Sequence, residues 1–329
     1  MTKKLIFFSI VFIFFISCSE KDKKNQEKLV EEIKLTEEIK IEIPDFNEDS
    51  AYKYVYKQVE FGPRVISSKA WKECALWIKS KFDLYTEHVK IQKATITTYD
   101  GKNHTLQNII ASFSPEKANR IALFAHWDSR HIADHDTIDV DLPILGANDG
   151  GSGVGVLIEV ARQLKLNSPT VGVDIVLFDA EDYGDPDGND ANSWCLGSQH
   201  WGKNPHVSNY KANFGVLLDM VGGENATFYF EENSRVFASE QLNKVWSVAH
   251  SLGFQDFFIF SNSPAIHDDH VYVNNYAKIP TINIIEYDPL SKTGTFNKHW
   301  HTHRDNMDNI CKKTLNAVGQ TLLKVIYSE

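Results

Sequence analysis

The chain is short of cysteine, of positive charge and of long apolar runs. Four cysteines in 329 residues cannot build a disulfide framework. Lys and Arg number 34 against 44 Asp and Glu, a formal net charge of −10, which suits a phosphate backbone poorly. Eighteen glycines and ten prolines exclude a collagen. No run reaches the roughly 20 apolar residues that a membrane-spanning helix needs. No internal repeat is visible, and no Pro/Gly-rich linker follows residue 45. What remains is globular: 42% hydrophobic, 12% aromatic and 24% charged residues, enough for a sizeable core. Length alone would allow about two domains, but the missing linker favours one. The thirteen histidines are the first unusual abundance.

The N-terminus reads as an address. Lys3 and Lys4 precede an apolar run at 5–16 broken only by Ser9, then Ser17 and Cys18. A charged start, a short apolar stretch and a small residue before the cut form a secretory signal. Phe15-Ile16-Ser17-Cys18 resembles a bacterial lipobox, which implies cleavage after residue 17 and lipidation of Cys18. The expected protein is exported and anchored, but not spanning, in the periplasm or outer membrane of a bacterium. Which membrane face carries it is left open. Residues 18–45, rich in Lys and Glu, read as a solvated tether, and residues 46–329 as one catalytic domain.

The body alternates strand and helix patterns. Residues 67–84 have helical spacing. Residues 89–98 and 105–113 read as a hairpin around Asp100-Gly101. Apolar runs at 120–125, 173–178, 214–218 and 281–285 read as buried strands. Helices are expected at 154–166, 237–252 and 313–326. Near-continuous apolar strands between helices argue for an α/β fold, a three-layer sandwich with a central mixed, largely parallel sheet. In such sheets sites form at the carboxyl ends of the strands.

Those ends carry the chemistry. One run leads into His126-Trp127-Asp128, another into Asp179-Ala180-Glu181-Asp182, a third into Asp219. Asp149 lies in a Gly-rich turn before a helix, and His301 in His299-Trp300-His301-Thr302-His303. Each residue alone has an ordinary explanation: Asp149 could cap a helix, and His301 could belong to a surface run. Jointly they are the O and N donors that zinc accepts.

The ordered motifs HWD, GANDGGSGVGVLIEVARQL, VLFDAED, LLDMVGG and WHT resemble the zinc aminopeptidase superfamily over roughly residues 50–329. Asp268-Asp269-His270 and Phe296-Asn297-Lys298-His299-Trp300-His301 resemble more closely its glutaminyl cyclases. The resemblance implies one Zn²⁺ held by Asp149, Asp182 and His301, with Glu181 as general base and Asp219 and Asp268 as supporting carboxylates. It implies substrate walls from Phe296, Trp300 and Trp194. His267 stands where the family usually has Gln, so its part in substrate binding is open. The implied reaction closes the N-terminal Gln of a peptide or protein to pyroglutamate. The rival reading is a two-zinc aminopeptidase, in which His126 and Asp219 hold a second ion and Glu181 activates water.

Other features carry less. Asp185–Asp190 starts like a calcium loop, but position six is Asp190 and position twelve Leu196, so the EF-hand pattern fails; a structural Ca²⁺ stays open. Asp134, His131 and His135 read as loop residues near the mouth of the site. His299 and His303 would share a face with His301 in an extended segment. Arg64 reads as the partner of an acid. Cys74, Cys195 and Cys311 allow at most one disulfide.

Overall fold

The computed structural model describes residues 42–291 and 295–329. The expected leader, Cys18 and most of the tether lie outside them. Ile43–Glu329 form one compact unit, and none of its helices is long and apolar enough to cross a membrane.

Six strands form the main sheet: β1 (Val89–Thr97), β2 (Asn103–Phe113), β3 (Arg120–His126), β4 (Gly172–Phe178), β5 (Phe214–Asp219) and β8 (Thr281–Ile285). Their order is β1-β2-β4-β3-β5-β8. The β1–β2 hairpin and the β2–β4 pair are antiparallel, and β4, β3, β5 and β8 run parallel. Every residue of β3, β4, β5 and β8 is buried, because helices cover both faces; this is why their sequences are unbroken apolar runs. The mixed, largely parallel sheet flanked by helices agrees with the sequence reading.

On one face lie α1 (Glu48–Glu60), α3 (Gly151–Leu166) and α7 (Lys312–Tyr327). Gly153 lets α3 press against the sheet: a Cβ there would meet the Leu218 carbonyl oxygen at 2.6 Å. On the other face Trp201 of α4 (Leu196–Lys203) packs with Phe124, Phe178 and Leu217. Helix α2 (Lys69–Phe82) begins at Ser68, whose side chain accepts from Trp71 N. Helix α5 (Glu232–Ser251) starts five residues before the expected 237, because Glu231 caps it, and Ala238 breaks its regularity. Helix α1 went unforeseen: it buries only Ala51, Val55 and Gln58 in a charged sequence, too narrow a stripe to stand out. The parallel pair β6 (Phe228–Phe230) and β7 (Phe258–Asn262) and the short helix α6 (Asp269–Tyr272) were also unforeseen.

Candidate active site

The parallel register sets the strand ends side by side. His126 lies opposite Phe178, the residue before Asp179, and Asp219 lies opposite Ile285. Each chain then turns sharply, with Ala180 at φ 54°, Met220 at φ 49° and His301 at φ 54°. A side chain in this left-handed region is strained, and such strain clusters at functional sites. The bend at Ala180 is what allows the adjacent Glu181 and Asp182 both to reach the site.

Two ligand-type sets share Asp149. His301 Nε2 lies 3.2 Å from Asp182 Oδ1 and 3.7 Å from Asp149 Oδ2. His126 Nε2 lies 3.0 Å from Asp149 Oδ1 and 3.1 Å from Asp219 Oδ1. In each set the donor atoms lie within 4.8 Å of one another. Asp182 Oδ2 is buried without a hydrogen-bond partner. Burial, with Asp182 nearby, pushes the Asp149 carboxyl up to about 7. Burial opposes a charge on His301, yet Asp182 and Asp134 outweigh it and raise the ring to about 9. This is an excess of buried negative charge, which a cation would relieve. Two carboxylates and an imidazole nitrogen with an orphaned oxygen between them fit Zn²⁺.

A pocket of about 60 Å³ opens on the first set. Glu181, Asp219 and Asp268 line it with Trp194, His267, Phe296, Trp300 and the three ligand-type residues. His126 is the one internal candidate outside its lining, behind Asp149. Phe296 and Trp300 pack on Met220, Ile266 and Ile285. The Trp300 ring stacks on His301 at 3.9 Å between centroids. Trp194 lies parallel to His301 at 6.0 Å, under the Arg130 guanidinium. His267 sits at the exposed rim, its Nε2 3.1 Å from the Tyr272 hydroxyl. Asp268 Oδ2 accepts from Asn283 Nδ2 at 2.6 Å. Oxygens of Glu181 and Asp268 and the Cys195 sulfur lie within 4.8 Å of one another. Burial pushes Asp268 up to about 6 and Glu181 well above the usual carboxylate range.

Four supporting residues escaped the sequence reading. Asp128 accepts from the backbone N–H groups of Glu181 and Asp182, each at 3.1 Å. Asp305 does the same for Asn148 at 2.7 Å and Asp149 at 3.0 Å. Asp134, read as a mouth residue, brings Oδ1 within 2.9 Å of His301 Nδ1, an ion-pair contact. The Cys195 thiol donates to Glu181 Oε1 at 3.2 Å. Two left a signal, since Asp128 closes the HWD motif and Asp305 follows His301 by four residues.

Two expectations need correction. His299, His301 and His303 do not share a face, because the segment is a turn; His303 reaches the Asp139 carbonyl instead. Among the described residues Arg64 forms no ion pair with an acid; it donates to the carbonyls of Trp127, Leu145 and Gly146. The disulfide question left open by the sequence is answered for three thiols: Cys74, Cys195 and Cys311 are free. In the Asp185–Asp190 turn, Asp185 and Asp190 accept from backbone N–H groups of their own loop.

Fold and site together define an α/β protein with a buried carboxylate–histidine cluster, able to hold a metal, at the strand ends of a mixed sheet. The chain belongs to peptidase family M28, whose model matches residues 108–326. It is 27% identical to aminopeptidase YwaD of Bacillus subtilis over 72% of this chain and 47% of that protein. The chain spans about half to two thirds of the length of the curated relatives it matches. Among solved structures, the glutaminyl cyclase of Tannerella forsythia is 51% identical with a TM-score of 0.85, covering 87% of this chain and 100% of that one. A Zn-dependent exopeptidase from Parabacteroides distasonis is 51% identical with a TM-score of 0.86, over 88% and 100%. The family and this neighbour imply zinc.

Proposed function

We propose that the chain is a zinc-dependent glutaminyl cyclase, converting the N-terminal glutamine of peptides or proteins to pyroglutamate with release of ammonia. The observation that carries this reading is Asp268 beside Glu181 in a small aromatic-walled pocket. Hydrolysis needs one base; moving a proton between two nitrogens of one substrate gives work to a second acidic group. The pocket is small, about 60 Å³, which suits a single side chain and not a whole peptide. The similarity to the Tannerella forsythia enzyme supports the same reading.

Asp149, Asp182 and His301 would hold one zinc, which would polarise the γ-amide carbonyl. Glu181 takes a proton from the substrate α-amine as its nitrogen attacks the γ-carbon, and returns it to the departing ammonia. Asp219 and Asp268 hold the amine and the leaving nitrogen. Phe296, Trp300 and Trp194 exclude water, which would otherwise hydrolyse the amide to glutamate.

The intact set of His126, Asp149 and Asp219 favours one alternative, a two-zinc aminopeptidase. Zinc stoichiometry on pure protein, with Gln-peptide and aminoacyl-amide assays, separates the two. One zinc with ammonia release from Gln-peptides supports the cyclase; two zincs with fast release of the first amino acid overturn it. Export and a lipid anchor at Cys18 belong to the same proposal on sequence alone. A Cys18→Ala chain that stays in the membrane fraction would refute the anchor.

A further inference from the structure

A second cavity, of about 870 Å³, adjoins the small pocket and shares Met220 and Trp300 with it. Its volume lies within the roughly 300–1,000 Å³ typical of ligand sites. The small pocket has room for one side chain, so the rest of a peptide substrate must lie outside it. The larger cavity begins at the same Trp300 wall.

The feature that nothing in the catalytic scheme uses is Glu286 in that cavity. It stands just past β8 and is only 4% exposed. Asn148 Nδ2 and Asn297 Nδ2 donate to its Oε2 at 3.1 and 2.8 Å, which fixes the carboxylate's orientation. Both of these bonds go to Oε2, and the residue lines the cavity. Glu224 and Asp288 line it too, while the cations Lys298 and Arg304 are exposed at its edge. The Asp305 carboxylate is already engaged by backbone N–H groups. Among the described residues no cation pairs with Glu286, and the charged groups that act on it are the carboxylates of Asp305 and Asp288.

We propose that this cavity receives the residues that follow the N-terminal glutamine, and that Glu286 makes it select a lysine or arginine at the second or third position. The inference rests on the cyclase reading for the placement of the first residue. Burial pushes the Glu286 carboxyl up to about 7, and an arriving ammonium or guanidinium favours its ionised form. A glutamate in the same place would leave two acids facing each other.

The test is kcat/KM for ammonia release from Gln-Lys-Ala, Gln-Ala-Lys, Gln-Glu-Ala, Gln-Ala-Glu and Gln-Ala-Ala amides, at low salt. At least one lysine peptide should exceed its glutamate counterpart by about fivefold or more, the size of a partly screened ion pair. In Glu286→Gln, which keeps an oxygen for both asparagines, that ratio should fall towards one. Equal turnover of the whole series by the unmodified enzyme overturns this inference and leaves the cyclase reading standing. So does a lysine preference that survives in Glu286→Gln. Release of free glutamine in place of pyroglutamyl product overturns the cyclase reading and this inference with it.

Discussion

Asp134 Oδ1 lies 2.9 Å from His301 Nδ1, and the same carboxylate is held by the Arg130 guanidinium at 2.6 Å. The carboxylate thus faces the Nδ1 edge of the imidazole, while Nε2 is turned to Asp149 and Asp182. Partners of this kind orient a ligand ring and raise its basicity, and their loss costs about 10–100-fold in metal affinity. Asp134→Asn should weaken zinc by that factor in a chelator competition, with the fold intact by circular dichroism. Unchanged affinity would refute the assignment.

Glu181 should be separable from the metal. Glu181→Gln is expected to retain zinc, since Asp149, Asp182 and His301 are untouched. Its kcat on a Gln-peptide should fall by about 10²–10⁴, the usual contribution of a positioned acid–base group. Metal analysis beside steady-state kinetics checks both halves. A variant that loses zinc, or keeps its rate, contradicts the role given to this carboxylate.

The Trp194 wall can be moved without changing a pocket residue. A Cβ on Gly184 would overlap the Trp194 ring, which is confined on its other side by Arg130 at 4.3 Å. Gly184→Ala should displace the indole and raise KM for Gln-peptides severalfold more than it lowers kcat. The split between the two constants is the readout; equal KM values would remove Trp194 from the substrate wall.

Glu231 links stability to pH behind the pocket wall, where it holds Ile266. Its carboxylate accepts from Asn233 N at 2.8 Å, Ser234 N at 2.7 Å and Ile266 N at 2.9 Å, and faces His270 Nε2 at 3.1 Å. Burial opposes its ionisation, but His270 and these N–H groups outweigh that and hold it at about 2, against an ordinary 4.5. Because the folded value is depressed, the stabilisation is complete above 4.5 and disappears as pH falls towards 2. By linkage it amounts to about 3 kcal/mol. In urea unfolding, the stability gap between the unmodified chain and Glu231→Gln should close by about that amount from pH 6 to pH 2. A gap independent of pH would mean that Glu231 is not the titrating group.

The strands at 120–126, 172–178, 214–219 and 281–285 were readable within a residue or two, since burial on both faces demands unbroken apolar runs. The residues that converge on the small pocket were readable because they follow those strands or sit in motifs of fixed order. Helix α1 was not, because three buried residues in a charged thirteen-residue helix leave no strong period. Asp134 was placed near the mouth, but its contact with His301 crosses 167 positions of sequence, which no local pattern encodes.

Composition and hydrophobic pattern by themselves determined the layered α/β class, the single folded body and the donor types at the strand ends. Those follow from local period and residue chemistry. Only the tertiary structure decided which carboxylates meet. Parallel register puts β3, β4, β5 and β8 level, and left-handed turns at Ala180, Met220 and His301 swing neighbouring side chains inward. The second cavity and its buried Glu286 likewise arise only when residues from 135 to 309 close around one space.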